Sequence, residues 1–338
     1  MEQSIAGFDQ SSAAALLKSL PPFSAEMPLV DRASSGLLQY LDFYQLPIPR
    51  GDINLRAGEI NQQGQTIATL CWVPENPVGS VIIVHGYMDH IGLFNHLIEH
   101  LLGCQLNVIC FDLPGHGLSA GQPGFILDYA DYVVALNAVV SESQAMFNLP
   151  LQAIGQSMGG AVLLKHLMTF DSNGSYPFTH LNLLAPLLKP KGWGLSRWLF
   201  LLMRHFRESS KRQFRPSSFD LEFLAFVKDK DPVQPRKVPM AWVGALNLWI
   251  KEFDNYPACA KLIDNKPVNK CSINLIQGTG DKTLDWEANL IEFKRKLPDL
   301  KVQLIPDANH HLVNEIEPMR RTIFAALKLN LISPVAKN

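Results

Sequence analysis

The residues best placed for covalent chemistry are Gly155-Gln156-Ser157-Met158-Gly159, a G-x-S-x-G pentapeptide. Such a site needs a tight strand-to-helix turn that lifts a serine hydroxyl over a sheet, with glycines that let strand and helix approach closely. A glycine-rich packing turn with an incidental serine would spell the same letters. The flanks favour the nucleophile. An apolar run, Leu151 to Ile154, precedes it, and a segment of helical period, Ala161 to Phe170, follows. A serine hydroxyl is a poor nucleophile at neutral pH and needs a base. Two histidines, His310 and His311, follow the run Val302 to Ile305 and the turn residues Pro306-Asp-Ala-Asn. His310 is the expected base because it comes first after the turn; His311 is expected to point into the helix beyond. The base needs a carboxylate to hold its tautomer and stabilise the imidazolium. Asp281, just past the run Ile273 to Ile276, takes that role; Asp285, four residues on, is the runner-up and is read as the N-cap of a helix beginning near Trp286.

A tetrahedral intermediate carries a negative oxygen, so donors must be waiting for it. The backbone N–H of Met158 is one. The N–H of Tyr87 is the other, in the loop His85-Gly86-Tyr87-Met88-Asp89 after the run Val81 to Val84, with Gly86 letting the chain turn. His85 is assigned a structural hydrogen bond beneath that loop. Asp112 and His116, in Asp112-Leu-Pro-Gly-His-Gly117, read as loop architecture, and without a third ligand nearby no metal is expected.

These residues need elements to hold them. Ile53 to Ile60 and Thr66 to Val73 read as strands joined at Asn61-Gln-Gln-Gly64. The apolar runs Val81 to Val84, Val108 to Phe111, Leu151 to Ile154, Leu181 to Leu184, Ile273 to Ile276 and Val302 to Ile305 suit strands buried on both faces of a parallel sheet. Between them lie helical segments at Leu93 to Leu102, Tyr129 to Val140, Ala161 to Phe170, Asn289 to Lys296 and Glu317 to Leu329. The alternation predicts an α/β, mostly parallel, doubly wound sheet with an antiparallel hairpin at its start. Residues 188–267 break it with aromatics, basic residues, prolines and no clear strand. They read as a helical cap inserted over the strand ends, where such sheets keep their active sites. The expected division is therefore a lead-in over 1–50, a core over 51–187, the cap, and the rest of the core over 268–338. Ala13 to Leu20 is expected to form a short helix in the lead-in, stopped by Pro21-Pro22.

The 338 residues are 47% hydrophobic and 18% charged, with a formal charge of −1, so nothing global points to nucleic acid. The five cysteines, Cys71, Cys104, Cys110, Cys259 and Cys271, form no C-x-x-C pair and read as reduced thiols. Met1 to Gln10 lacks the basic start and apolar run of a signal peptide, and no apolar stretch is long enough to span a bilayer. A cytoplasmic enzyme is expected, with peripheral membrane contact left open.

His85-Gly86, Asp112-Leu-Pro-Gly-His-Gly117, Gly155-Gln-Ser-Met-Gly-Gly160, Gly280-Asp281 and Asn309-His310, with the order Ser157, Asp281, His310, together resemble the signature blocks of the α/β-hydrolase superfamily. They are most similar to the monoacylglycerol lipase and lysophospholipase branch, which shares its domain with serine aminopeptidase-like hydrolases. The blocks cover roughly residues 51–187 and 270–330 and specify fold and nucleophile more than substrate. The resemblance implies a cap between core strands, ester hydrolysis without a cofactor, and oxyanion donors at Tyr87 and Met158. Gln156 stands where many relatives carry histidine, a position not itself catalytic in the family.

The cap shows no such resemblance. Within it Trp193, Trp198, Leu199, Leu202, Met203 and Phe206 fall largely on one helix side, with Arg197, Arg204 and Arg207 elsewhere. A basic amphipathic helix of this kind lies in a membrane interface or covers the active site with its apolar face. Trp198, Leu202 and Phe206 are the candidate acyl contacts under the second reading, with Met240 to Ile250 as further apolar lining or a core helix. The expected substrate is a lipid-like ester such as a monoacylglycerol or lysophospholipid. The alternatives are a thioester, an amide or a peptide N-terminus on the same triad, or a hydrolase-like protein that binds without turnover. An aminopeptidase would need a cap carboxylate for the substrate amine, for which Glu222, Asp229 and Glu252 are candidates.

Overall fold

A computed structural model of the chain describes residues 7–27, 34–170, 176–203, 206–257 and 271–329. Cys259, Arg204 and the cap stretch 258–267 of the sequence reading lie outside the described residues.

Eight strands form one sheet: β1 (Ile53–Gln62), β2 (Gln65–Pro74), β3 (Gly79–Val84), β4 (Leu106–Phe111), β5 (Leu151–Gln156), β6 (Phe178–Leu184), β9 (Ser272–Gly278) and β10 (Lys301–Ile305). Their order across the sheet is β1-β2-β4-β3-β5-β6-β9-β10. The hairpin β1–β2 and the pair β2–β4 are antiparallel; every later pairing is parallel. The hairpin turns at Gln63 and Gly64, both with positive φ (50° and 80°), the conformation that matches strand twist in a two-residue loop.

The continuous apolar runs have the expected cause. In β3, Val81 and Ile83 face one core while Ile82 and Val84 face the other; in β4, Val108 and Cys110 oppose Ile109 and Phe111 in the same way. Helices α3 (Asn95–Gly103), α4 (Tyr129–Met146), α5 (Met158–Thr169) and α9 (Trp286–Lys296) connect the strands, and α10 (Glu317–Ala325) follows the last of them. One strand departs from expectation. β10 pairs on one side only, and Lys301, Gln303 and Leu304 are exposed, because an edge strand at the end of the order is not covered on both faces.

The lead-in is built into the sheet layer. It holds α1 (Gln10–Ser19) and a second helix, α2 (Ser35–Phe43), which the sequence reading did not place; Ser34 caps it by accepting from Leu37 N–H at 3.3 Å. Phe8, Leu16, Tyr40, Leu41 and Tyr44 pack into the same core as β3 and β4. The chain at Pro21 and Phe23 hydrogen-bonds to Glu59 on the free edge of β1, which leaves less of that edge open.

Between β6 and β9 run α6 (Trp193–Met203), α7 (Leu221–Ala225), a π-turn over Phe226–Lys230, and α8 (Met240–Asn255). Where no strand was expected, β7 (Ser209–Lys211) and β8 (Lys237–Pro239) pair as a short antiparallel ribbon. Three residues per strand leave no alternation to read from sequence. α8 is a core-packed helix: Trp249 is buried and donates from Nε1 to Leu187 O at 3.2 Å, and Glu252 accepts from the buried Lys165 Nζ at 2.6 Å.

Candidate active site

Ser157 follows β5 directly and starts α5 with φ 52° and ψ −111°, a strained backbone for a residue with a side chain. What allows the turn is Gly159. A Cβ there would lie 1.9 Å from Val84 O, so only glycine lets α5 begin flush against the end of β3.

The end of β9 brings Asp281, and the end of β10 brings His310. His310 Nδ1–H donates to Asp281 Oδ2 at 2.8 Å, and Ser157 Oγ–H donates to His310 Nε2 at 2.9 Å. All three residues are buried. Asp281 is held on every side: Oδ1 accepts from the N–H of Thr283 (2.7 Å) and Leu284 (3.1 Å), and Oδ2 also accepts from Gln277 Nε2 at 3.1 Å. Burial works against its ionisation, but the charge and hydrogen bond of His310 and the two backbone donors outweigh it and hold the carboxyl below its usual range. For His310, burial pulls toward the neutral ring, and the Asp281 carboxylate reverses that and raises its pKa above the ordinary imidazole value.

Asp285 occupies the N-cap position of α9 but makes no side-chain cap; its N–H donates to Lys189 O at 3.0 Å. The capping role read from the sequence is therefore not made by its carboxylate. His311 is also placed differently. It is buried, and its Nε2–H donates to Asp89 Oδ2 at 3.1 Å instead of pointing into the following helix.

Residues 86–89 form a turn closed by Asp89 N–H to Gly86 O at 3.2 Å, with Met88 at φ 64°. Gly86 lies against the end of β5, its absent Cβ 3.5 Å from Gln156 O, so the Tyr87 turn and the start of α5 at Met158 flank the serine together. The Tyr87 ring stacks on Trp242 of α8 at 3.6 Å and 10°, and its hydroxyl donates to Gly124 O at 3.0 Å.

His85 bridges beneath that loop, donating from Nδ1 to Gly86 O at 2.7 Å and accepting at Nε2 from Leu113 N–H at 2.9 Å. Burial depresses its pKa to about 3, so the ring is neutral at pH 7. Asp112 accepts from Ile91 N–H and Leu118 N–H, each at 2.7 Å, and His116 Nδ1 donates to Pro114 O at 3.0 Å. Both thus hold the rim loop together.

Several contacts around the site were not foreseen by the sequence reading. Gln156 donates from Nε2 to His310 O at 2.9 Å, tying the neighbour of Ser157 to His310. Glu315 is buried and accepts from Asn309 N–H at 2.6 Å and from Phe219 N–H at 2.8 Å, joining the histidine loop to the segment before α7. Asp231, in that same inter-strand segment, pairs with His90 at 2.8 Å and accepts from Tyr44 O–H at 2.9 Å. Apart from Asn309, their partners lie too far along the chain for any short motif to show them.

Trp198, Leu202 and Phe206 are 60%, 55% and 83% exposed. The face expected over an acyl chain is thus turned to solvent, together with Leu195 (68% exposed), whereas Phe200 is buried beside Gly244 of α8.

A mostly parallel eight-stranded sheet with a serine, a histidine and an aspartate linked at its strand ends defines the α/β-hydrolase class. The fold is shared with a soluble variant of monoglyceride lipase from Saccharomyces cerevisiae (TM-score 0.65, 18% identity, 79% of this chain and 91% of that one). It is shared also with the Paleococcus ferrophilus monoacylglycerol lipase (TM-score 0.60, 20% identity, 77% of this chain and 97% of that one). The chain belongs to the serine aminopeptidase S33 family of hydrolases, whose family model matches residues 75–317. Its sequence is similar to phospholipase YtpA of Bacillus subtilis strain 168, with 31% identity over 94 residues, 28% of this chain and 36% of that protein. It is similar to human monoglyceride lipase at 31% identity over 107 residues, 31% of this chain and 35% of that protein. The matched segments thus span about a third of these relatives. The resemblance to the monoacylglycerol lipase branch holds.

Proposed function

We propose that the chain hydrolyses a carboxylic ester of a lipid, such as a monoacylglycerol or lysophospholipid, with Ser157 as nucleophile. The observation that carries this is the unbroken hydrogen-bonded chain from Ser157 Oγ through His310 to Asp281. With Nδ1–H committed to Asp281, the Nε2 lone pair is free to take the serine proton. Ser157 Oγ attacks the ester carbonyl carbon as its proton passes to His310 Nε2. The carbonyl oxygen becomes an oxyanion facing the N–H groups of Met158 and Tyr87. The bond to the leaving alcohol then breaks, and Nε2 returns the proton to that alcohol. Water, deprotonated by the same nitrogen, attacks the acyl-enzyme; the fatty acid leaves and the serine is restored.

The phospholipase and monoglyceride lipase relatives support the lipid ester, over the third of their length that matches. Under this reading the segment between β6 and β9 is a cap, and the exposed face of α6 is the side offered to a lipid surface. An aminopeptidase has less support. Glu252 is engaged by Lys165, and Glu222 faces a cleft of about 500 Å³ lined by Tyr44, Asn95, His96 and Phe226, with no member of the Ser–His–Asp chain in its wall.

A fluorophosphonate probe tests the nucleophile, and a panel of p-nitrophenyl esters, monoacylglycerols, lysophospholipids and aminoacyl amides tests the substrate. Labelling at Ser157 with turnover of the lipid esters is expected. Turnover of aminoacyl amides alone would move the reading to an aminopeptidase, and an unlabelled, inert protein would make it a binding protein.

A further inference from the structure

Beside the Ser–His–Asp chain lies a second, separate acid–imidazole contact that the reaction above does not use. Asp89 closes the turn that carries Tyr87, and its carboxylate folds back over that turn: Oδ2 lies 2.5 Å from where a Cβ on Gly86 would stand. The same oxygen accepts from His311 Nε2–H at 3.1 Å. Asp89 and His311 are each buried and lie 222 positions apart in sequence.

The His311 ring is held on its other sides as well. Asn314 Nδ2 donates to His311 Nδ1 at 3.4 Å and to Leu93 O at 2.7 Å, which leaves the ring's proton on Nε2, facing Asp89. Phe223 and Phe94 flank the ring, with centroids at 4.8 Å and 6.4 Å. The His311 backbone N–H donates to Ser217 O at 2.7 Å. His311 therefore cannot shift without moving the peptide of His310 beside it.

We propose that Asp89 and His311 are a positioning pair that sets the turn carrying the Tyr87 oxyanion donor at a fixed distance from the loop carrying the base His310. The inference rests on the hydrolase reading above and adds two residues to it. The chemical reason is that proton transfer and oxyanion binding occur on opposite sides of one tetrahedral carbon. The donor turn and the base come from different strand ends, β3 and β10, which are not neighbours in the sheet. The sheet alone does not tie these loops to each other; the Asp89–His311 bond does. The Asp89 carboxylate is kept ionised: burial opposes the charge, but the His311 hydrogen bond and the Arg212 guanidinium outweigh it and lower its pKa. It thus accepts with full charge, the stronger form of hydrogen bond.

The test uses the full chain, a soluble ester such as p-nitrophenyl butyrate, and the rate of inactivation by a fluorophosphonate. The variants are Asp89→Asn, His311→Leu, His311→Gln and the double variant Asp89→Asn/His311→Leu. A misplacement of about 1 Å costs on the order of 10²-fold in rate, so Asp89→Asn and His311→Leu should lower kcat and inactivation rate by about 10- to 100-fold, with KM nearly unchanged. His311→Gln keeps a donor toward Asp89 and should recover most of the rate. The double variant should be no worse than the worse single, since both substitutions act on one bond. Additive losses would overturn the pairing. So would variants whose folded fraction is inactivated at the wild-type rate, because the side chains would then serve stability alone; this comparison also covers a variant that folds poorly. If the wild type itself resists the probe, the hydrolase reading falls and the pair with it, whereas a reactive wild type with undisturbed variants sinks the pair alone.

Discussion

At the scale of single residues, the division of labour among Ser157, His310 and Asp281 follows from what each touches. Under the proposed mechanism Ser157→Ala removes the atom that would form the acyl-enzyme, so kcat should fall by about 10⁴-fold or more while the fold persists. A variant retaining a tenth of wild-type turnover would show that the nucleophile lies elsewhere. The pH profile is a finer probe. His310 acts as base only when neutral, and its pKa is raised by Asp281, so turnover should be lost as pH falls through a midpoint above the ordinary imidazole value of about 6.5. Asp281→Asn removes the charge that raises it. The midpoint should then move to lower pH, with a ceiling lowered by about 10⁴-fold because the amide favours the wrong tautomer. A profile whose midpoint does not move would mean that Asp281 is not the group acting on His310. Gln156 illustrates a position that is easy to dismiss: it is not a proton-transfer group, yet its amide holds the His310 carbonyl.

At the scale of elements, the segment between β6 and β9 is joined to the sheet by polar contacts buried between otherwise apolar surfaces. The most enclosed is Tyr44–Asp231–His90, which joins the residue after α2, the π-turn's end and the loop after β3. Tyr44 also rings His90 at 4.9 Å, and the carboxylates of Asp112 and Asp89 act on it too. Burial pulls His90 toward neutrality, but Asp231 reverses this and raises its pKa; Asp231 in turn is lowered against its own burial by His90 and Tyr44. The sign of the linkage follows. The His90 contribution is complete below the unfolded imidazole value of about 6.5 and is lost as pH rises through the raised folded value; that of Asp231 is complete above about 3.9 and is lost as pH falls through its lowered one. Asp231→Asn should therefore cost about 3–5 kcal/mol in the window near pH 5 to 6, where both are charged, and less at pH 9. Denaturant melts at the two pH values measure it, and an equal deficit at both would show that the pair is not ionised.

At the scale of the whole molecule, the proposed reaction on a water-insoluble ester calls for a surface that meets lipid, because Ser157, His310 and Asp281 are buried. No helix among the described residues is long and apolar enough to cross a membrane. The surface does carry an apolar stripe, Leu195, Trp198 and Leu202 on α6 with Phe206 beyond it, flanked by the exposed Arg197 and Arg207. Aromatic and aliphatic side chains with cationic neighbours are the composition of an interfacial helix. Trp198→Ser/Phe206→Ser should weaken co-sedimentation with anionic vesicles and lower hydrolysis of vesicle-borne ester several-fold, while hydrolysis of a soluble acetyl ester holds. Equal losses on both substrates would mean that the substitutions disturb the fold or the site and not a lipid contact; unchanged sedimentation would leave the stripe without a lipid role.

The local code was enough for much of this. A buried parallel strand must be apolar on both faces, so β3 to β6 could be read directly, and the elbow at Ser157 announces itself because only glycine fits beside it. Strand-end placement brought Asp281 and His310 within reach of the same reading, since loops at one sheet edge share one rim. What the chain pattern could not supply were contacts whose partners are distant in sequence. His311 reads as pointing into the following helix because its partner Asp89 lies 222 positions away, and Asp285 reads as a cap because local spacing cannot show that its carboxylate leaves the helix N-terminus uncapped. The exposure of Trp198, Leu202 and Phe206 was decided the same way. A helix's period reveals that it has an apolar face, but which neighbour covers that face, or whether any does, depends on how the helix docks, and on α6 it is Phe200 that turns inward.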